Sequence, residues 1–407
     1  MRLMFCKSRR VYLDHASATP VRKEAQRANE EASRLVGNPG SIHQEGVEAK
    51  RVLEESRARI AKELGCKARE IVFTSGLTEA NNLAILGRAK SIEATPQGVA
   101  SIDGGLGGTH WVVSSIEHQS VLECFSEIER RGGRVTHIDP ETNGVISPQK
   151  IANALRPETV LVSVGWANSE IGTIQPIREI SFAIRSHEKK TNRTVLLHSD
   201  AGQGPLYLSP EVHTLGVDLF SLGSGKLYGS RGIGALYIGK RVEIAPVVVG
   251  GDQERGLRAG TESPALAAGF AAALAAVSLE RREEAARVGT LRDELSRIIE
   301  ENVQGAVING DLRQALPHML NISIPHVNSE YVVLALDRCG IATSTKAACS
   351  EGRSNESHVV AALVSRAAPR WRAENTIRLS LGRESRRGDI SRAGKELSRI
   401  LKEMPIS

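Results

Sequence analysis

FSLGSGKLYGSRGIGALY, residues 220–237, sets a single lysine, Lys226, in a run of small residues. Three readings compete: a phosphate-cradling loop, a covalent cofactor anchor, or a flexible turn. A P-loop needs Gly, four residues, then Gly-Lys-Ser/Thr, so that backbone N–H groups and a hydroxyl hold phosphate and magnesium. Counting back from Gly225 puts Phe220 where the first glycine belongs, and Leu227 stands where the hydroxyl belongs. Both ends fail. The choice between anchor and turn depends on what surrounds the lysine.

Apolar, β-rich runs flank it at 217–221 and 233–238, and similar runs recur upstream at 70–74, 111–115, 134–138, 159–164 and 194–199. Helical patterns separate most of them, at 77–90, 119–131 and 177–189, and another at 43–64 precedes the first. Val/Ile/Leu runs alternating with helices predict an α/β protein whose mostly parallel seven-stranded sheet is covered on both faces. In such sheets ligands sit beyond the carboxyl ends of the strands. Residues 264–303, rich in Ala, Leu, Glu and Arg, read as one long helix or two. Strands near 319–324, 341–345 and 376–381 then mix with helices near 329–338, 356–366 and 388–402, a smaller α/β unit. The expected division is a large domain over 16–263 and a small C-terminal domain over 264–407, joined by residues 1–15. Residues 91–109, with five glycines and one proline, read as a surface insertion.

Composition narrows the function. The chain has 407 residues, of which 41% are hydrophobic and 25% charged, as in a soluble globular protein. Aromatics are 3%, too few for base-stacking platforms, and the net charge of +6 is spread without a dense basic block, so nucleic acid is not an expected partner. Five cysteines form no C-x-x-C pair, and their odd number suits a reducing compartment. The basic first fifteen residues lack an apolar core, and the apolar stretch at 264–277 is interrupted by Gly269 and rich in alanine. The expectation is a cytoplasmic protein without a membrane span.

Polar residues gather just after the strands. Thr74-Ser75-Gly76-Leu77-Thr78-Glu79 opens a helix, where free N–H groups suit an anion, although such a motif alone is more often a plain N-cap. Glu117-His118, Asn168, Asp200 and Lys226 follow four further strands. A lone histidine is usually structural, but an aspartate at a buried strand end is costly unless paired, which suggests a charged ligand. Pyridoxal 5'-phosphate requires this set: a lysine for the Schiff base, an acid for the pyridinium nitrogen and donors for the phosphate.

At this point the chain resembles the cysteine desulfurases, within the aminotransferase class V group of fold-type I enzymes that use pyridoxal phosphate. The matching pieces are VYLDHASATP (11–20), GNPGSIH (37–43), EIVFTSGLTEANNLAI (70–85), EHQSVL (117–122), ANSEIGTIQPI (167–177), HSDAGQG (198–204), KLYGSRGIGALY (226–237), ERGLRAGTES (254–263) and IRLSLGR (377–383). Their order and spacing carry the resemblance. It implies a homodimer that converts L-cysteine to L-alanine and passes sulfur, through an enzyme persulfide, to an acceptor protein of iron–sulfur assembly or tRNA thiolation.

The resemblance also implies roles. Lys226 would hold the cofactor and move the Cα proton, and Asp200 would pair with the ring nitrogen. Gln203 and Asn168 would bind the ring oxygen, with Asn168 also near substrate. His118 would stack on the ring and shuttle protons. Leu77, Thr78 and Ser224 would hold the phosphate, Thr261 would reach the neighbouring subunit's phosphate, and Arg378 would clamp the substrate carboxylate. Cys349, in TSTKAACSEG at 343–352, would take the sulfur, since the small polar residues around it suit an exposed, partly ionised thiol. Without the flanking match, Arg378 would read as a surface ion pair and Cys349 as an inert thiol.

Three departures stand out. Gly223 and Gly225 replace a serine and a histidine that commonly donate to the phosphate, which predicts weaker cofactor retention unless Ser224 or backbone N–H groups compensate. Lys346 stands near Cys349 where a small residue is usual, and Ser230 replaces a proline. A selenocysteine lyase or aminotransferase of the same class, or a catalytically weak sulfur-transfer scaffold, are the alternative readings.

Overall fold

The computed structural model describes residues 9–94, 105–345, 356–364 and 370–403. The chain opens with β1 (Val11–Tyr12), α1 (Lys23–Ala32) and α2 (Gln44–Glu63). Strands and helices then alternate: β2 (Ile71–Thr74), α3 (Leu77–Glu93), β3 (His110–Ser114), α4 (Gln119–Arg130), β4 (Arg134–Ile138), α5 (Pro148–Ala154), β5 (Thr159–Ser163), α6 (Ile177–Thr191) and β6 (Leu196–Asp200). A short α7 (Val212–Leu215) leads to β7 (Leu219–Gly223) and β8 (Gly234–Ile238). The long α8 (Pro264–Asn302) precedes β9 (Val307–Ile308), β10 (Met319–Ser323), α9 (Ser329–Arg338) and β11 (Ile341–Ala342). The chain closes with α10 (His358–Leu363), α11 (Trp371–Glu374), β12 (Thr376–Ser380) and α12 (Arg387–Glu403).

Seven strands form one sheet in the order β2-β8-β7-β6-β5-β3-β4. All the expected strands of the first half join it. The pairs among β3 to β7 are parallel, and β8 runs antiparallel to both of its neighbours. Successive residues point to opposite faces of a strand. Phe73, Val112, Val162, Leu197 and Phe220 accordingly enter a core on one face, while Val72, Trp111, Val113, Leu161, Leu196 and Leu219 enter a core on the other. Each such side chain, fully buried, contributes roughly 1.5–3 kcal/mol. Two covered faces leave the loops at the strand ends as the place for a ligand.

A third core lies around the antiparallel sheet β12-β10-β9. Strand β1 pairs in parallel with β11, Val11 opposite Ile341, so the amino-terminal segment lies against the carboxy-terminal part of the chain. One uninterrupted helix serves two cores. Phe270 and Leu274 of α8 pack into the first, and Leu291, Leu295 and Ile299 into the third. Ser263 caps it by accepting from the Leu266 N–H at 3.3 Å, and Pro264 costs no hydrogen bond in its first turn. Gly269 is needed on this helix because a Cβ there would stand 3.1 Å from the Ala25 carbonyl oxygen of α1. By length and composition α8 alone, among the described residues, could cross a membrane, but Phe270, Leu274, Leu291, Leu295 and Ile299 pack into the protein cores.

Two local expectations are revised. The strand expected at 341–345 pairs with β1 over two residues only, and Ser344 instead bridges to Arg378. The far end of the 91–109 segment is not surface: Leu106 and Thr109 are fully buried.

Candidate active site

The carboxyl ends of β3, β5, β6 and β7 and the first turn of α3 surround a cavity of about 230 Å³. Leu77, Thr78, His118, Asn168, Asp200, Gln203 and Lys226 all line it. The sequence separates these seven residues by up to 149 positions; the sheet brings them to one opening.

Each side chain is held by its local structure. Lys226 ends a tight turn that follows β7, and its Nζ donates to the Ala16 carbonyl at 2.6 Å and the Ser17 carbonyl at 3.0 Å. The Gln203 amide donates to the same Ala16 carbonyl at 2.9 Å, leaving its Oε1 buried without a partner among the described residues. Asp200 closes β6; its Oδ1 accepts from the Gly202 N–H at 2.8 Å and its Oδ2 from Asn81 Nδ2 at 2.7 Å. Asn168 forms a local turn, its Oδ1 accepting from the Glu170 and Ile171 N–H groups and its Nδ2 donating to the Ile116 carbonyl at 2.8 Å. Its second Nδ2 hydrogen has no partner among the described residues. His118 caps α4, with Nδ1 accepting from the Ser120 N–H at 3.1 Å. Helix α3 starts at Gly76 without a side-chain cap, so its first N–H groups, at Leu77 and Thr78, meet the cavity as an anion-binding end.

Other expected residues lie elsewhere. Ser224 is fully buried and outside the cavity wall; its Oγ has no partner among the described residues and sits 2.1 Å from where a Gly229 Cβ would be. The hydroxyl is packed into a glycine turn, away from the cavity wall. Thr261 lines a separate cavity of about 160 Å³ with Arg258 and Ser263. Arg378 is 1% exposed and stands behind the wall, donating to the Ser169 carbonyl at 3.0 Å, to Asp14 Oδ1 at 2.8 Å and to Ser17 Oγ at 2.5 Å. It is a buried ion pair, not a surface one. Cys349 and Lys346 lie outside the described residues. The described flanks of that segment are fixed near the cavity: Ser344 exchanges backbone hydrogen bonds with Arg378, and Ser357 Oγ donates to Glu170 Oε2 at 2.6 Å.

Sequence reasoning missed four wall or support residues: Ser17, Asn81, Glu117 and Ser120. Glu117 was visible as a strand-end acid, but nothing in the sequence shows that it points inward. Its Oε1 accepts from the Gly165 N–H at 2.8 Å. Burial pushes its carboxyl up to about 8; the Gly165 N–H pulls the other way and the Asp200 charge adds to the rise. Burial also pushes the His198 imidazole, on the same strand as Asp200, down to about 4. The cavity thus holds an amine, an oriented carboxylate, a second carboxyl that favours its neutral form, an imidazole and a helix end. This set can hold an anionic aromatic ligand and move protons beside it.

Comparison with known proteins agrees with this arrangement. Residues 11–393 match the family described as aminotransferase class-V. The chain is 37% identical over 397 residues to the cysteine desulfurase IscS of Dictyoglomus turgidum, covering 97% of this chain and 95% of that protein. It is 35% identical over 396 residues to cysteine desulfurase IscS 1 of Archaeoglobus fulgidus, covering 97% of each. A solved NifS-like protein superposes with a TM-score of 0.86 at 30% identity, covering 97% of this chain and all 100% of the other. The structure of SspA in complex with cysteine superposes with a TM-score of 0.76 at 32% identity, covering 91% and 98%.

Proposed function

Because this chain belongs to the aminotransferase class V family, we propose that its cavity binds pyridoxal phosphate and L-cysteine, and that the protein is a cysteine desulfurase. The observation that carries this is the meeting of Lys226, Asp200, Gln203, Asn168, His118 and Thr78 around one cavity.

The residues present fit the cofactor. Gln203 Oε1 and one Asn168 hydrogen are unspent and buried, both Asp200 oxygens are pre-oriented, and an uncapped helix end lies opposite the lysine turn. When bound, pyridoxal phosphate supplies an aldehyde for amines and a ring that withdraws electrons from the substrate Cα. Lys226 would hold the cofactor and, as a free amine, would take the substrate Cα proton. Asp200 would keep the ring nitrogen protonated. His118 would lie beside the ring and offer its outer nitrogen for proton transfer. Arg378 binds the substrate carboxylate by exchanging its Ser17 hydroxyl, which already lines the cavity.

Cys349, as thiolate, attacks the sulfur of L-cysteine. The new S–S bond forms as the substrate C–S bond breaks, its electron pair stays with the carbon fragment, and protonation there, with return of the Cα proton from Lys226, yields L-alanine. The persulfide sulfur then passes to an acceptor protein of iron–sulfur assembly or tRNA thiolation. The working form is a cytoplasmic homodimer. In it the cavity of Thr261, which shares no wall with the chain's own site, serves the partner's phosphate, and the exposed Val36, Ile42, Val248 and Val249 supply apolar contact.

The test is alanine and sulfide production from L-cysteine by wild type and Cys349→Ala. Loss of both products in the variant, with the cofactor band at about 420 nm retained, supports the reading. Undiminished alanine formation by Cys349→Ala, or no cofactor band in either protein with excess cofactor, overturns it.

A further inference from the structure

Asn81, on the second turn of α3, is fully buried and touches neither backbone nor solvent with its amide nitrogen. Its Nδ2 donates one hydrogen to Asp200 Oδ2 at 2.7 Å and the other to Ser120 Oγ at 2.9 Å. Ser120 Oγ in turn lies 2.8 Å from His118 Nδ1. These contacts permit a single set of directions. The carboxylate only accepts, so the Asn81 nitrogen faces it; the reversed amide would put two oxygens together. The Ser120 backbone N–H only donates, and it points at His118 Nδ1 at 3.1 Å. Nδ1 therefore carries no proton, and its one lone pair is shared by the Ser120 N–H and the Ser120 hydroxyl, which accepts from Asn81 on one of its own two lone pairs. In the neutral imidazole the proton sits on Nε2, away from Ser120.

We infer that Asn81 and Ser120 are positioning residues that couple Asp200 to His118. One amide holds the plane of the acid and, through the Ser120 hydroxyl, the orientation of the imidazole whose tautomer the Ser120 N–H selects, so the two groups are aligned as a unit. The unit presents His118 to the cavity as an Nε2–H donor. This rests on the cofactor and substrate assignment for its catalytic consequence, but the hydrogen-bond directions do not.

The test uses the full-length protein, with and without pyridoxal phosphate. Nitrogen NMR of the 15N-histidine-labelled protein should show His118 as the Nε2–H tautomer. Asn81→Leu, which cannot touch His118, should shift the Nδ1 resonance of His118 through Ser120, as Ser120→Ala does directly, and Ser120→Thr should restore it. In cysteine turnover with excess cofactor, each single variant should lower kcat about three- to tenfold with KM unchanged. The double variant should fall no further than the worse single one, since the two residues form one path. A protonated Nδ1 in wild type, a His118 resonance unmoved by Asn81→Leu in a folded protein, or fully multiplicative losses in kcat would overturn the inference. Failure of the NMR arm with desulfurase activity intact refutes this coupling alone. Absence of turnover in wild type refutes the activity and leaves the coupling to the NMR result.

Discussion

Gly223 faces Leu77 so closely that a Cβ on the glycine would lie 3.0 Å from the Leu77 Cβ. Leu77 also fills the space beside Gly202, where its Cδ2 would stand 2.6 Å from an added Cβ. The glycine at 223 is thus part of the packing of α3, since any side chain there would meet the Leu77 Cβ. Cofactor retention should be weak, because each lost hydrogen bond to a charged acceptor is worth roughly 1.5–3 kcal/mol. Gly223→Ser alone should give no gain, since Leu77 crowds it. Leu77→Gly with Gly223→Ser, which takes the Leu77 Cβ from beside the new one, should tighten the dissociation constant for pyridoxal phosphate by about tenfold or more. Equilibrium dialysis checks this; equal affinity in wild type and the double variant contradicts it.

Glu117 makes stability depend on pH. Burial lifts its carboxyl from the ordinary 4.5 of the unfolded chain to about 8 in the folded protein, so between these values the folded protein holds a proton that the unfolded chain has released. Its favourable contribution is complete below the lower value and is lost as pH rises through the upper one, at up to about 1.4 kcal/mol per pH unit. Buried His198 runs the other way, gaining stability as pH rises from about 4 to its ordinary 6.5. The difference between wild type and Glu117→Gln isolates the acid. The variant should be more stable than wild type at pH 8.5 by a few kcal/mol on this roughly 1.4-per-unit scale, and the gap should close towards pH 5. Thermal unfolding across that range reads it directly, and a constant gap would remove Glu117 as the source.

Arg57 and Glu254 form a buried bidentate pair, both bonds at 2.7 Å, with side chains 5% and 1% exposed. Glu254 also accepts from the Phe73 N–H of β2 at 2.9 Å, and it holds a left-handed backbone at φ 49°. Removing one partner leaves the other charge buried and alone, so Arg57→Ala or Glu254→Ala should cost roughly 3–5 kcal/mol. Urea unfolding measures this; a loss below 1 kcal/mol, on the scale of exposed pairs, would show that water reaches the pair.

Much of the architecture is legible in the chain. The Val/Ile runs mark every strand of the large sheet, and alternate residues such as Val72 and Phe73 serve opposite cores. The reversed direction of β8 leaves no such mark, since its residues are apolar either way round. The residues at the strand ends are legible for the same reason as the sheet: polar groups that follow apolar runs must end at its edge. What surrounds them is not. Asn81 lies 119 positions from Asp200, and only the packing of α3 over β6 brings them together. Ser224 neighbours Lys226 in sequence, yet the tight turn after β7 sends its hydroxyl into the protein. Taken alone, Arg378 reads as a surface ion pair; the segment after β1 instead sets Asp14 beside a guanidinium that is 1% exposed.

The account stands on Lys226 as the covalent anchor. Borohydride reduction of the purified protein saturated with pyridoxal phosphate, followed by peptide mass spectrometry, tests it most directly. A single pyridoxyl adduct on Lys226, absent from Lys226→Ala, is the predicted result. An adduct on another lysine, or none in a protein that retains the cofactor band, would contradict it.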